Sequence, residues 1–97
     1  MSEDRRTKWS GNDGITATNT EATFTFTQAV EEVEVVNDGA NDLYVGFVTD
    51  NQTGSTTDPT QRQTVRAGTS RTFKLSMKQI KYKTSAGNSA IQILGIW

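Results

Sequence analysis

The stretch VVNDGANDLYVGF, residues 35–47, separates two apolar runs by six polar or small residues. The first run ends at Val36, and an apolar alternation resumes at Leu43. Gly39 is expected to supply a positive φ, and Asn and Asp side chains hydrogen-bond their own backbone. Residues 37–42 therefore suit a hairpin loop, and the stretch predicts two strands joined by a turn.

The same six residues include Asp38 and Asp42, which raises the alternative of a metal site. Their spacing lacks the calcium-loop pattern, in which alternate Asp or Asn residues precede a Gly and a distant Glu. We predict a turn, with no bound metal and no cofactor. A weak cation site or a partner contact is the alternative.

Alternation with period two continues outward from this stretch and predicts an all-β fold. In residues 22–27, ATFTFT, aromatic residues alternate with Thr, and no segment has a clear helical period. About seven strands between turn residues predict a single antiparallel β-sandwich or jelly-roll-like domain. The expected core residues are Phe24, Phe26, Val33, Val35, Leu43, Val45, Phe47, Phe73, Leu75, Ile80, Tyr82, Ile91 and Ile93.

Residues 1–20 are charged, rich in Gly and Asn, and poor in apolar side chains. They predict an extended N-terminal arm, with the β-sandwich domain at residues 21–97. Trp9 is the expected anchor of the arm, because buried aromatic side chains dominate contact energies. Alternatively, Trp9 packs on the edge of its own core.

Residues 49–61 form a long polar loop that contains the only proline. A loop of this length in a small domain is usually functional or lies against a neighbour. Trp97 is expected either to cap the core, in phase with Ile91 and Ile93, or to dock into a partner. The predicted partner-contact residues are Arg5, Arg6, Trp9, Ile15, Asp50, Asp58, Pro59 and Trp97.

The chain contains no Cys and no His. Thiol nucleophiles, disulfides and His-based acid–base catalysis are therefore excluded. Glu31, Glu32 and Glu34 are close in sequence, but a glycosidase needs two carboxylates across a cleft that encloses a sugar. A solvated or intersubunit face explains these residues better, and the chain is predicted not to be an enzyme.

Charge is unevenly distributed along the chain. Residues 1–61 carry 3 basic and 11 acidic residues, a net charge of −8, whereas residues 62–97 carry 7 basic residues and no acidic ones. Such poles suit contact between identical copies. The alternative is that strands from both halves interleave and mix the charges.

The sequence predicts neither a nucleic-acid partner nor a membrane partner. The seven C-terminal basic residues could line a nucleic-acid surface, but the isoelectric point is about 5.3 and no phosphate-binding loop is present. The N-terminus lacks the apolar core of a signal peptide, and ILGIW, residues 93–97, is too short to span a bilayer.

Residues 31–97 resemble small β-sandwich structural proteins of tailed-bacteriophage virions. The resemblance is carried by VEVVNDGANDLYVGF, TVRAGTSRTFKL and IKYKTSAGNSAIQILGIW, which are strand and turn motifs. It implies a non-enzymatic role, foremost that of a capsid decoration (cement) protein made in the host cytoplasm and located in the virion. The implied partners are the major capsid protein or other virion proteins, with homo-oligomers in the assembled particle.

Two other functions remain open at this point. A tail, neck or fibre-adaptor protein can share the same sandwich. A carbohydrate-binding module would need exposed aromatic residues in a row, for which the candidates are Tyr44, Tyr82 and Trp97.

Overall fold

The computed structural model describes residues 8–97, which form eight strands and no helix. The strands are β1 (Trp9–Ala17), β2 (Ala22–Val30), β3 (Glu32–Asn37), β4 (Leu43–Val48), β5 (Gln63–Val65), β6 (Thr69–Phe73), β7 (Met77–Thr84) and β8 (Ser89–Ile96).

The strands form two four-stranded antiparallel sheets. The first sheet has the order β1-β8-β3-β6, and the second has the order β2-β7-β4-β5. Six of the seven connections pass from one sheet to the other, and only β4 and β5 are consecutive strands of one sheet. This is the arrangement of a jelly roll, so the predicted all-β sandwich is confirmed, with eight strands rather than about seven.

The core lies between the inner faces of the two sheets, as the alternation predicted. Thirteen apolar side chains are buried there, and Ile15, Phe24, Phe47, Tyr82 and Trp97 pack against them. Leu75 was wrongly predicted to be a core residue, because it lies in the connection between β6 and β7 and is 37% exposed. The buried apolar residues absent from the predicted core are Ala17, Val30, Val65 and Met77.

The connection at residues 38–42 is not a hairpin loop. It joins β3 in the first sheet to β4 in the second, so it crosses the edge of the sandwich. The expectation for Gly39 is also wrong, since positive φ occurs among the described residues only at Gly68 and Gly87. A Cβ at position 39 would lie 2.6 Å from the Cα of Ser89, so Gly39 is needed for close packing against β8.

A buried asparagine holds this crossing in place. The side chain of Asn37 is fully buried, and its Nδ2 donates to the carbonyl oxygens of Asn41 (2.8 Å) and Val65 (3.0 Å). Its Oδ1 accepts from the Gly39 N–H (3.2 Å) and from the Ser89 hydroxyl (2.6 Å). Asn37 thus links segments of both sheets, and the polar residues of the crossing have a structural role.

Much of the predicted N-terminal arm belongs to the domain. Residues 9–17 form β1, which pairs with β8 from Trp9 opposite Ile96 to Ala17 opposite Ser89. Backbone pairing with β8 compensates for the few apolar side chains of this segment. Arg5 and Arg6 lie outside the described residues.

Candidate interaction surfaces

The outer face of the first sheet presents an apolar patch beside acidic residues. Trp9 lies opposite Ile96, and Gly11 lies opposite Leu94, which is followed across the sheet by Glu34. Trp9 is 69% exposed and Leu94 is 39% exposed. We call the surface formed by Trp9, Gly11, Asp13, Glu34 and Leu94 the Trp9 face.

The Trp9 face contains a shallow depression of about 360 Å³. Trp9 and Leu94 contribute apolar surface to its lining, while Asp13 and Glu34 contribute carboxylates. Gly11 contributes no side chain to the lining, so the indole of Trp9 projects beside the depression. An exposed aromatic side chain next to other apolar and charged groups is typical of a contact site for another protein.

The second sheet has a groove on its outer side where β2 leaves its regular register. Thr25 pairs with Gln79, but the next paired residue of β2 is Val30, opposite Met77. The irregular segment between them exposes a groove of about 430 Å³. We call this surface, which includes Phe26, Ala29, Val48 and Lys78, the β2 groove.

The loop at residues 49–61 folds over its own sheet. The backbone of Ser55 packs against Gly46 of β4, where a Cβ would come within 2.9 Å of the Ser55 nitrogen. Thr56 is fully buried, and its hydroxyl donates to Glu21 Oε1 at 2.6 Å. Because Glu21 directly precedes β2, the loop reaches from β4 across the outer side of the sheet.

Arg62 anchors the C-terminal end of this loop. Its guanidinium lies 3.8 Å from the centre of the Tyr44 ring and donates to the carbonyl oxygens of Thr56 (3.4 Å) and Thr57 (3.3 Å). The contacts of the loop with β4 and Glu21 explain its length without a neighbouring molecule.

Protonation of Glu21 is expected to weaken the attachment of the loop. The hydrogen bond from the Thr56 hydroxyl, followed by that from the Thr56 backbone and the charge of Lys81, holds the pKa of the Glu21 carboxyl below its ordinary value of 4.5. Burial acts in the opposite direction but does not prevail. A depressed pKa in the folded state gives stability that is complete above about pH 4.5 and is lost as the pH falls through the folded-state pKa.

We therefore expect wild type to be more stable than Glu21→Gln at pH 7, with the difference shrinking in acid. Urea unfolding of both proteins at pH 7 and pH 3 measures this difference. A gap of equal size at both pH values would show that the carboxylate charge does not hold the loop.

The predicted partner-contact residues are distributed over several surfaces. In the 49–61 loop, Asp50 pairs with Lys78 at 3.5 Å, and Pro59 is exposed. Asp58 accepts hydrogen bonds from the backbone and hydroxyl of Thr60, which lower its pKa. Ile15 and Trp97 pack against the core.

The aromatic residues considered for sugar binding do not form an exposed row. Tyr44 is covered by Arg62, whereas Tyr82 and Trp97 pack against the core. Among residues 8–97, no acceptor lies within hydrogen-bonding distance of the buried Trp97 Nε1. The exposed aromatic side chain of the described chain is Trp9, on the opposite sheet from Tyr44.

The structure also locates the other residue clusters noted in the sequence. Glu34 is exposed on the outer face of β3, and Glu31 accepts a hydrogen bond from the Ser76 hydroxyl. Lys81 is 4.0 Å from Glu21. Residues 8–97 contain no group of three or more acidic side chains placed to hold a metal ion, and no helix among them is long and apolar enough to cross a membrane.

No protein-family model and no curated protein sequence matches this chain. Among solved structures, the chain is similar to one from Bacillus endospore appendages, described as disulfide-linked pili. That match has a TM-score of 0.49 and 14% identity and covers 99% of this chain and 94% of the other. A second match, the Tobacco streak virus coat protein, has a TM-score of 0.49 and 8% identity, with coverage of 99% and 88%. At this level of similarity, neither protein's role transfers to this chain.

Trp9 was predicted from the sequence as a contact residue, whereas Leu94 and the β2 groove were not predicted as surface features. Leu94 follows Ile93 in an apolar run, and its outward position was visible in the alternation of β8. The groove had no sequence signal, because it depends on the register between β2 and β7, which are far apart in the chain.

Proposed function

We propose that this protein is a non-catalytic structural subunit of a bacteriophage virion, where it serves as a capsid decoration (cement) protein. The observation that carries the proposal is the exposed indole of Trp9, beside Leu94 and Glu34, on the outer face of a sheet. A side chain of this kind is typical of the buried centre of a protein–protein contact.

The physical mechanism is the addition of many modest contacts. One small face gives weak binding, but a repeated lattice raises the effective concentration of each further contact. The protein would thereby bind and stabilise a shell. Its partners are the major capsid protein or other virion proteins, and the virion is its proposed location.

The resemblance of residues 31–97 to small phage structural proteins supports the choice of a virion over other assemblies. A tail, neck or fibre-adaptor position is the second candidate. Copy number separates the two, because a shell offers many equivalent sites and a tail junction offers few.

The proposal is tested by quantitative mass spectrometry of purified virions of the phage that encodes the chain. We expect the protein in the particle, at a copy number comparable to that of the major capsid protein. A copy number of about a dozen or fewer would favour the tail or neck, and absence from purified virions would overturn the proposal.

Replacing Trp9 is expected to leave most of the binding sites on the shell unoccupied. Trp9→Ala removes the largest exposed apolar side chain of the face, so binding to heads that lack the protein should weaken about tenfold or more. Co-sedimentation with such heads measures the loss, and Trp9→Phe should retain part of the binding. Because Trp9 is 69% exposed, Trp9→Ala should melt within a few degrees of wild type, which excludes unfolding as the cause. Unchanged binding of a folded Trp9→Ala protein would remove the Trp9 face from the mechanism.

A further inference from the structure

We infer that the partner of the Trp9 face is a second copy of this chain, which receives Trp9 in its β2 groove. The inference rests on the proposed function: the contact joins neighbouring subunits on the shell, and loss of Trp9 weakens binding to heads by removing this support between neighbours. A projecting indole on one sheet and an apolar groove on the other provide the two complementary surfaces.

The groove is suited to an aromatic side chain in size and lining. Its volume of about 430 Å³ accommodates an indole, and the apolar residues of its lining are Phe26, Ala29 and Val48. Phe26 is almost completely buried and lies in the segment of β2 with irregular register. An indole seated there would contact the side chains of Ala29 and Val48 instead of water.

The Trp9 face and the β2 groove also carry opposite charges. Asp13 and Glu34 lie with Trp9 in one depression, so the projecting side chain has acidic neighbours. Lys78 lines the groove and is 65% exposed, with Asp50 as its nearest acidic partner at 3.5 Å. Insertion of Trp9 would bring Glu34 or Asp13 of one copy towards Lys78 of the next.

The positions of the two surfaces show that the contact must be made between different copies. Ser10, next to Trp9, accepts a hydrogen bond from the backbone of Thr27 in the groove segment, so both surfaces lie along the same side of the sandwich. They face outward from opposite sheets, however, and a copy cannot fill its own groove. We take the contact to be head-to-tail, with each copy giving its Trp9 to one neighbour and its groove to another, which generates a ring if the rotation closes or an open chain if it does not.

The contact is expected to be weak between free subunits. An aromatic side chain buries roughly 150–250 Å², whereas a stable interface buries about 1,600 Å² in total. Flanking residues add area, but isolated protein should associate only at high concentration. In a particle, neighbouring attachments would hold the contact closed.

Sedimentation velocity of the purified chain over a range of concentrations tests the inference. Wild type should show concentration-dependent association that Trp9→Ala weakens about tenfold or more. Ala29→Trp places an indole in the groove of the same copy and should weaken association to a similar extent. Because Ala29 is exposed, this second substitution should leave the fold intact, which its melting temperature will verify.

Charge reversal distinguishes the contact between the Trp9 face and the β2 groove from other pairings. Glu34→Lys alone and Lys78→Glu alone should each weaken association about threefold to tenfold, because each brings like charges together. An equimolar mixture of the two variants should recover wild-type association, since each variant then meets the opposite charge on the other. Lys74→Glu, an equal change of charge at an exposed position outside both surfaces, is the matched control and should have little effect.

A contact of the Trp9 face with itself would behave differently. In that case Glu34→Gln would strengthen association by removing like charges, whereas the inferred contact requires it to weaken. Strengthening by Glu34→Gln, insensitivity to Ala29→Trp, or a monomer at all concentrations would overturn the inference. The proposed function would still stand if the virions contained the protein, so the two failures are distinguishable.

Discussion

Replacing Asn37 by Asp is expected to lower the free energy of unfolding by about 4 kcal/mol. Asn37 is fully buried and uses Nδ2 to donate to the carbonyl oxygens of Asn41 and Val65. A carboxylate at this position has no proton to donate. One of its oxygens would face two carbonyl oxygens as a buried charge, while the other would still accept from the Gly39 N–H and the Ser89 hydroxyl.

The loss should depend on pH in a way that identifies its cause. Burial raises the pKa of the new carboxyl group in the folded state, so the destabilisation is complete above that raised pKa and shrinks as the pH falls towards the unfolded value. Urea unfolding at pH 7 and pH 4 measures this change. Asn19→Asp, at an exposed position between β1 and β2, is the matched control and should change stability little. A loss below about 1 kcal/mol for Asn37→Asp would contradict the role of Asn37 as the link between the sheets.

Gly39→Ala is expected to cost about 2–3 kcal/mol, although it adds only one methyl group. That methyl carbon would lie 2.6 Å from both the Cα and the Cβ of Ser89. Ser89 cannot move freely, because it begins β8 and donates its hydroxyl proton to Asn37. The added methyl group therefore forces apart two segments that the Asn37 network holds together.

Two other glycines separate this steric effect from backbone strain. A Cβ at Gly14 would have its nearest contact at 3.7 Å, so Gly14→Ala should be close to neutral. Gly68 has a φ of +74° but open space around it, so Gly68→Ala should cost about 1 kcal/mol through conformation alone. Thermal unfolding of the three variants gives the ranking. Equal losses for Gly39→Ala and Gly14→Ala would show that the contact with β8 can relax.

The sequence was sufficient to predict the fold class, but not which strands share a sheet. Alternation identifies which side chains face inward, as at Val33 and Val35, and this part of the prediction is confirmed. A turn such as residues 38–42, however, has the same composition whether it closes a hairpin or crosses between sheets. The answer depends on contacts of Asn37 with residues more than 25 positions away, which local patterns do not encode.

The candidate surfaces show a similar division. Trp9 could be selected from its type and its polar surroundings, but its position on an edge strand required the pairing of β1 with β8. Apolar content alone assigned this segment to the arm. The β2 groove follows from a mismatch in register between β2 and β7, so no residue in it is distinctive when read along the chain.

The strand order also constrains how the chain can fold while it is being synthesised. β8 occupies an interior position in the first sheet and β7 occupies one in the second, yet both come from the final fifth of the sequence. Residues 9–76 therefore leave the ribosome before the strands that must separate β1 from β3 and β2 from β4 are available. The second sheet cannot be completed until residue 84 has emerged, and the first cannot be completed until residue 96 has emerged, so folding is expected to be cooperative and slow. The unfinished edges are exposed to other nascent chains during that interval, and expression at reduced temperature should improve the soluble yield.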